Sequence, residues 1–169
     1  MKKINLNLAL LIIISIIAIL QPILFYNQLP EKVASHFTAS GEANSFMDKN
    51  SFVMFAIGVI LFLDVLFIGL SKLMNIISDS GFNLPHKDYW LHPARRETTI
   101  KTLKKMLYTT SAITLIFLTA IMRKIIECNI DGTFHLDSAA FTYLIIYVVG
   151  LSFYIITLFL KFSRIPKEN

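Results

Sequence analysis

Four long apolar runs constrain this 169-residue chain more than any other feature, because together they cover more than half of it. The hydrocarbon core of a bilayer is about 30 Å thick, and a helix needs about 20 residues to cross it. Each run reaches that length, and an open segment in lipid can satisfy its backbone only as a helix. The sequence therefore predicts an all-α membrane protein with four transmembrane helices, at residues 4–25, 52–74, 106–126 and 139–160.

The rest of the composition agrees with one membrane domain that spans residues 1–169. Charged residues make up 16% of the chain, against about 25% in a typical soluble domain. The first run is longer than the apolar stretch of a signal peptide, which is about 7–15 residues, so we expect it to be retained as an anchor. The net charge of +5 predicts orientation rather than nucleic-acid binding, since Lys and Arg collect on the cytoplasmic side of membrane proteins.

The basic residues are distributed very unevenly between the two sides of the predicted membrane. Twelve of the 16 Lys and Arg residues lie in the N-terminus, at the end of the second run, in the loop that follows it, or in the C-terminal tail. The other four lie in or beside the remaining two loops. This asymmetry predicts that both termini and the 76–105 loop are cytoplasmic, and that the 26–51 and 127–138 loops face outside.

Two of the loops have recognisable local signals. The 26–51 loop is too long for a minimal turn, and we expect it to form a structured cap on the outer side, with a tight turn at Gly41. His36 in this loop could bind a ligand or sense pH, or it could hydrogen-bond within the loop and maintain its shape. In the cytoplasmic loop, Pro93 is suited to the first turn of a helix. That helix would either lie at the membrane surface before the third span or run straight into that span.

Asp64 lies near the middle of the second predicted span. A carboxylate at that depth costs a few kcal/mol and is expected to face the interior of the bundle. One interpretation is a proton or cation site, or part of a ligand cavity. The other is a structural hydrogen bond to Ser or Thr on a neighbouring helix, for which Ser111 and Thr114 of the third span are candidates.

The outer loop also carries a spaced pattern, Leu-Pro-x-x-Val-x-x-His-Phe, followed by a glycine. Its matched positions are Pro30, Val33, His36, Phe37 and Gly41. This pattern resembles the bacterial membrane domain of unknown function DUF1648, and the similarity extends over about residues 23–70. Thr38 departs from the family pattern, which has Asn or Asp at that position.

The resemblance implies a role in the bacterial cell membrane. The best-understood relative is an immunity protein that resists a secreted sporulation-delaying peptide toxin and can sequester a repressor at the membrane. By this resemblance we expect peptide-toxin immunity or envelope sensing. The candidate ligand-binding or functional residues are Pro30, His36, Phe37 and Gly41 of the outer loop, together with Asp64 of the second predicted span. The alternative is a small proton- or ion-coupled transporter centred on Asp64, which would act as an oligomer because four helices are few for transport.

A second stretch, residues 83–91 followed by Arg95 and Arg96, resembles a cytoplasmic motif found in some of these proteins. Tyr89 and Trp90 lie beside the two arginines, and aromatic rings next to cations suit the headgroup layer of a membrane. We therefore regard these four residues as a candidate interface, either for a cytoplasmic regulator or for membrane anchoring alone.

Catalytic and metal-binding signatures are absent from the sequence. It contains no HExxH, Gly-x-Ser-x-Gly or phosphate-loop pattern, so we expect neither an enzyme nor a cofactor. No two of the four histidines have the spacing of a zinc helix. A site built from His36 and His135 with Glu42 or Asp131 is a weaker alternative to our prediction of no metal. The single Cys128 excludes an intramolecular disulfide, and we expect it to be an inert residue near the membrane interface.

Overall fold

A computed structural model describes residues 6–166 of the chain. Residues 4 and 5 of the first predicted span lie outside the described residues. In chain order the elements are α1 (Leu6–Leu24), β1 (Lys32–Phe37), β2 (Ala43–Asp48), α2 (Lys49–Leu73), α3 (Lys87–Trp90), α4 (Pro93–Ile130) and α5 (Ser138–Phe162). Short 3-10 turns follow α1 and α2, at Tyr26–Gln28 and Asp79–Gly81.

Within residues 6–166, three stretches are long and apolar enough to cross a membrane: Leu6–Gln28, Lys49–Leu73 and Ser138–Phe162. They correspond to the first, second and fourth predicted spans. The third predicted span, 106–126, lies inside the longer and more polar helix α4. The chain is therefore a mostly helical, multi-pass integral membrane protein.

The prediction of an all-α chain was wrong for the segment between α1 and α2. Strands β1 and β2 pair there as a two-stranded antiparallel hairpin. A hairpin is compatible with this segment because it lies between the apolar runs, and because Gly41 supplies the positive φ of +93° that its turn requires. A hydropathy pattern predicts which segments lie in lipid, but it does not predict whether two short polar segments pair as strands.

Two of the apolar helices begin at aspartate caps. Asp48 accepts a hydrogen bond from the Ser51 amide at 2.9 Å, and Asp137 accepts one from the Ala140 amide at 3.2 Å. A cap of this kind satisfies one of the amides that the first turn of a helix leaves unpaired. Consequently α2 begins at Lys49, three residues before the apolar run that predicted it.

Helix α4 is continuous from Pro93 to Ile130. The helix predicted to begin at Pro93 therefore runs straight into the third predicted span, which is one of the two alternatives that the sequence left open, and it is not a separate surface element. The reason is local: between Pro93 and Gly132 the chain contains no glycine or proline to interrupt the helix. Glu97 and Lys101 also form an ion pair one turn apart, which favours the helix at its exposed start.

The core of the bundle lies where α4 packs against α1 and α2. Leu11 of α1 and Leu115 of α4 are fully buried there, together with Ala18 and Ile60. Helix α5 packs mainly along α4, and the most apolar stretch of α5 contains no buried residue. In the described part of the chain, α1, α2 and α4 thus form the packed group, and α5 lies at its periphery.

The bundle has two ends of different construction. The hairpin end contains β1, β2, the end of α1 and the α4–α5 loop, since Ala43 of the hairpin bonds to Phe134 of that loop. The opposite end contains residues 74–92 together with the end of α5, because Trp90 bonds to Phe162 there.

Candidate ligand site at the hairpin end

The hairpin register shifts twice, between Ala34 and His36 and between His36 and Phe37, and a side chain from α4 bonds to β1 just before the first shift. The strands pair regularly from Lys32 opposite Asp48 to Ala34 opposite Phe46, and the register then shifts. At this point the Ala34 amide donates to Asn129 Oδ1 at 2.7 Å, and Asn129 Nδ2 donates to the Ala34 carbonyl at 3.1 Å. The Asn129 side chain therefore bonds to β1 as a neighbouring strand would.

The burial of this contact makes it important for the hairpin. Ala34 has no exposed surface, and Asn129 is 3% exposed. Breaking a buried hydrogen bond leaves polar groups without water to replace the partner, which costs about 1–3 kcal/mol for each group. Asn129 therefore holds the hairpin to the end of α4.

Gly41 joins the α4–α5 loop to the hairpin turn. The Leu136 amide donates to the Gly41 carbonyl at 2.8 Å, and the Ala43 amide donates to the Phe134 carbonyl at 3.0 Å. A Cβ atom on Gly41 would lie 2.5 Å from the Leu136 carbonyl oxygen. Together with its positive φ, this close approach explains why glycine is required here. The predicted tight turn at Gly41 is therefore also the attachment point for a loop about 95 residues further along the chain.

Beside the attached loop lies a polar cavity of about 550 Å³. Its lining includes three carboxylates, one lysine, one histidine and the free cysteine. These residues are Glu127, Asp131, Asp137, Lys124, His135 and Cys128. The lining therefore has an excess of two carboxylates over ammonium groups, and the cavity suits a cationic group better than an anionic one.

Some of the charged side chains that line the cavity already form ion pairs within the chain. Lys124 Nζ lies 3.0 Å from Asp137 and 3.4 Å from Glu127. Its hydrogen bond keeps the pKa of Asp137 below the usual range. Arg123 pairs with Glu127 at 2.6 Å, while its guanidinium stacks over the Phe25 ring. Within residues 6–166, the exposed carboxylate of Asp131 has no hydrogen bond or ion pair, so it is the acid available to a ligand.

The predicted residues of the outer loop lie on the hairpin but do not line this cavity. The exposed His36 ring shares a hydrogen bond with Asn44 across the hairpin at 2.9 Å, a contact of the kind required by the shape-maintaining interpretation. Phe37 and Pro30 are half-buried, Phe37 at the end of β1 and Pro30 just before that strand. None of the three is among the side chains that line the cavity.

Asp64 contacts α1 in the interior of the bundle. Ser15 Oγ lies 2.9 Å from Asp64 Oδ1, at hydrogen-bond distance, and at the same distance from the Leu11 carbonyl. The sequence had instead suggested partners on α4. There, Thr114 bonds to Thr110 and Tyr147, whereas the buried Ser111 hydroxyl has no hydrogen-bond partner within the described residues. Asp64 thus contacts a serine on a neighbouring helix, as the interpretation of a structural hydrogen bond requires. That serine, however, is on α1 and not on α4.

The candidate interface at the opposite end is largely engaged within the chain. Trp90 Nε1 donates to the Phe162 carbonyl at 2.8 Å, and the two rings pack edge to face. Arg96 Nε donates to Asp79 at 2.8 Å. Arg95 stacks over the Tyr89 ring at 4.1 Å. The four residues therefore hold the 74–92 segment against α4 and α5, in addition to any contact with a membrane or partner.

Sequence reasoning missed Asn129 and Asp137 as members of the candidate site, and it considered Asp131 only in the weaker metal-site alternative. Asp137 had a usable signal, because an aspartate directly before an apolar run is typical of a helix cap. Asn129 had none, since its partner Ala34 is 95 residues away.

The comparisons with known proteins concern the N-terminal part of the chain. Residues 10–62 match the family model described as a domain of unknown function, DUF1648. This match confirms the domain that the outer-loop pattern predicted, although it begins and ends earlier than the predicted residues 23–70. The match covers most of α1, the hairpin and the first half of α2, which is less than half of the chain. No curated protein and no solved structure matches the chain.

Proposed function

We propose that this chain is a non-catalytic, four-span protein of the bacterial cell membrane that protects against, or senses, a secreted cationic peptide at its hairpin end. The observation that carries the proposal is the acid-lined cavity beside the hairpin. Support also comes from the DUF1648 match, whose motif residues build the hairpin next to this cavity.

Helix α4 supplies the fourth span in this proposal. Helix α2 ends at the opposite end of the bundle, and α5 starts at the hairpin end, so α4 must cover the distance between the two ends. With 38 residues and a rise of about 1.5 Å per residue, it is long enough. Its polar side chains are compatible with a span because α4 packs against α1, α2 and α5.

The orientation follows from charge. Twelve of the 16 Lys and Arg residues belong to the N-terminus, the tail, or the stretch from the end of α2 to the first turns of α4. The positive-inside rule then favours cytoplasmic termini and an outward-facing hairpin. A cytoplasmic regulator would meet the opposite end, where Tyr89 and Arg95 stack on one another.

The chemistry of the ligand follows from the cavity. Membrane-active peptides carry Lys and Arg on one face and apolar side chains on the other. The Asp131 carboxylate would pair with such a cation, while Lys124 keeps Asp137 and Glu127 in position. The neighbouring apolar helices would meet the apolar face of the peptide.

A killing assay tests the proposal. A sensitive bacterial host expresses the wild type, Asp131→Asn or Asp88→Asn at matched membrane levels and is exposed to a panel of secreted cationic peptides. Asp88→Asn is the control, since it makes the same change at an exposed position of the opposite end. We expect the wild type and the control to protect and Asp131→Asn to protect much less. Absence of protection by the wild type, or equal protection by all three, contradicts the proposal.

Proton- or ion-coupled transport by an oligomer is the second candidate, and the position of Asp64 favours it. An ionisable side chain at mid-span is expensive and often marks an ion pathway, and Asp64 is only half-buried. In proteoliposomes, Asp64→Asn would abolish ion-dependent flux while leaving insertion unchanged. Flux equal to that of the wild type eliminates this candidate.

A further inference from the structure

The opposite end of the bundle carries a groove of about 420 Å³ whose charge is the reverse of that in the hairpin-end cavity. The groove runs between Asn75, just after α2, and the first three turns of α4. Arg96, Lys101 and Lys104 line it, together with one carboxylate, Glu97. We propose that this groove binds the phosphate headgroup of an anionic membrane lipid, a role that does not depend on the function proposed above.

The cations in the groove differ in how firmly they are held. Lys104 donates to the side-chain oxygen of Asn75, a neutral acceptor that leaves its positive charge uncompensated. Lys101 pairs with Glu97, but both side chains are more than 70% exposed, and such surface pairs are weak. Two ammonium groups on one side of α4 are therefore available to an anion.

Arg96 completes the groove and fixes its shape. Its Nε donates to Asp79 at 2.8 Å, and the same guanidinium lies 3.4 Å from the Ile77 carbonyl. These contacts hold the segment after α2 against α4. Asp79 compensates the charge of Arg96, and Glu97 offsets one of the two lysines, so the groove has an excess of one positive charge, which Lys101 and Lys104 supply.

The position of the groove favours a lipid over a free anion. Asn75 lies two residues after the end of a helix that is long and apolar enough to span a membrane, which places the groove at the headgroup level. Leu73 and Ile76, on either side of Asn75, are 44% and 81% exposed. A phospholipid could place its phosphate among the cations and its acyl chains along these apolar side chains, whereas inorganic phosphate would use only the cations.

Lipid titration followed by native mass spectrometry tests this assignment on the full chain. The probe is phosphatidylglycerol, with zwitterionic phosphatidylcholine as the comparison lipid. The variant Lys101→Gln/Lys104→Gln removes the two available cations. The matched control, Lys87→Gln/Lys105→Gln, removes the same charge from exposed positions at the same end that do not line the groove. Thermal unfolding confirms that both variants are folded.

We expect the wild type to prefer phosphatidylglycerol and the groove variant to bind it about 30-fold more weakly, at about fivefold per cation. The control should keep the affinity of the wild type. Equal losses in both variants would indicate general attraction of anions and overturn the assignment. So would equal binding of the two lipids, or displacement of the lipid by inorganic phosphate at a similar concentration.

Discussion

The two ends of the bundle are both closed by contacts between distant parts of the chain, but the contacts differ in burial. At the hairpin end, the buried Asn129 side chain bonds to both the amide and the carbonyl of Ala34, as a further strand would. At the opposite end, His86 bonds to the Ser163 carbonyl just after α5, and Trp90 bonds to the Phe162 carbonyl at its last residue, both from more exposed positions. Hydrogen bonds shielded from water are costlier to break, so the hairpin end should be the more sensitive to mutation.

Removing the Asn129 side chain should have the largest effect. In Asn129→Ala, the buried amide and carbonyl of Ala34 both lose their partner, which should lower the free energy of unfolding by about 2–6 kcal/mol. Thermal unfolding in detergent measures the loss, and proteolysis within the hairpin locates it. The exposed Asn27 provides the control, because Asn27→Ala removes the same group from a surface turn. Equal melting temperatures of Asn129→Ala and Asn27→Ala would contradict the strand-like role of Asn129.

Gly41→Ala should have the next largest effect. The new Cβ would require a strained positive φ and would collide with the Leu136 carbonyl, at a cost of about 1–3 kcal/mol. We expect faster hydrogen exchange at the Leu136 amide, whose partner is the Gly41 carbonyl. Gly58→Ala in α2 is the matched control, since nothing lies within 4 Å of its added Cβ. Unchanged exchange at Leu136 in Gly41→Ala would show that the loop is held elsewhere.

Trp90→Phe tests the opposite end and should have a smaller effect. The variant keeps an aromatic ring beside Phe162 but loses the hydrogen bond to its carbonyl, which is worth about 0.5–1.5 kcal/mol. The melting temperature should fall less than in Asn129→Ala. Tyr89→Phe, which removes a neighbouring hydroxyl, is the control. A loss in Trp90→Phe that exceeds the loss in Asn129→Ala would reverse the comparison between the two ends.

The smallest expected effect is a dependence on pH at the hairpin end. Because Lys124 lowers the pKa of Asp137 in the folded protein, Asp137 stabilises the fold above its ordinary pKa of 3.8, and this contribution disappears as the pH falls through the lowered pKa. The pair is exposed, so the contribution should be below about 1 kcal/mol. Asp137→Asn keeps a capping side chain, and its melting temperature should approach that of the wild type in acid. If the melting temperatures of the two proteins differed by the same amount at every pH, the charge of Asp137 would be excluded as the cause of the difference.

The membrane helices were predictable and the connections between them were not. Apolar runs located the middles of α1, α2 and α5, because hydropathy is a local property of the chain. They missed the hairpin and the full length of α4, which extends about 13 residues before its predicted apolar run. For the site, the sequence indicated the turn at Gly41, and Asp137 had the signal of a helix cap, but nothing in the sequence placed Asp131 and Asp137 in one cavity beside the hairpin.

The sequence by itself determined that this chain lies in a membrane, because four apolar runs have no other environment in which to bury their surface. It also determined the starts of α2 and α5, since an aspartate cap acts within its own turn. Only the tertiary structure decided which polar groups meet. Asn129 reaches Ala34 across 95 residues and Trp90 reaches Phe162 across 72, and such pairs form only after the helices have packed side by side.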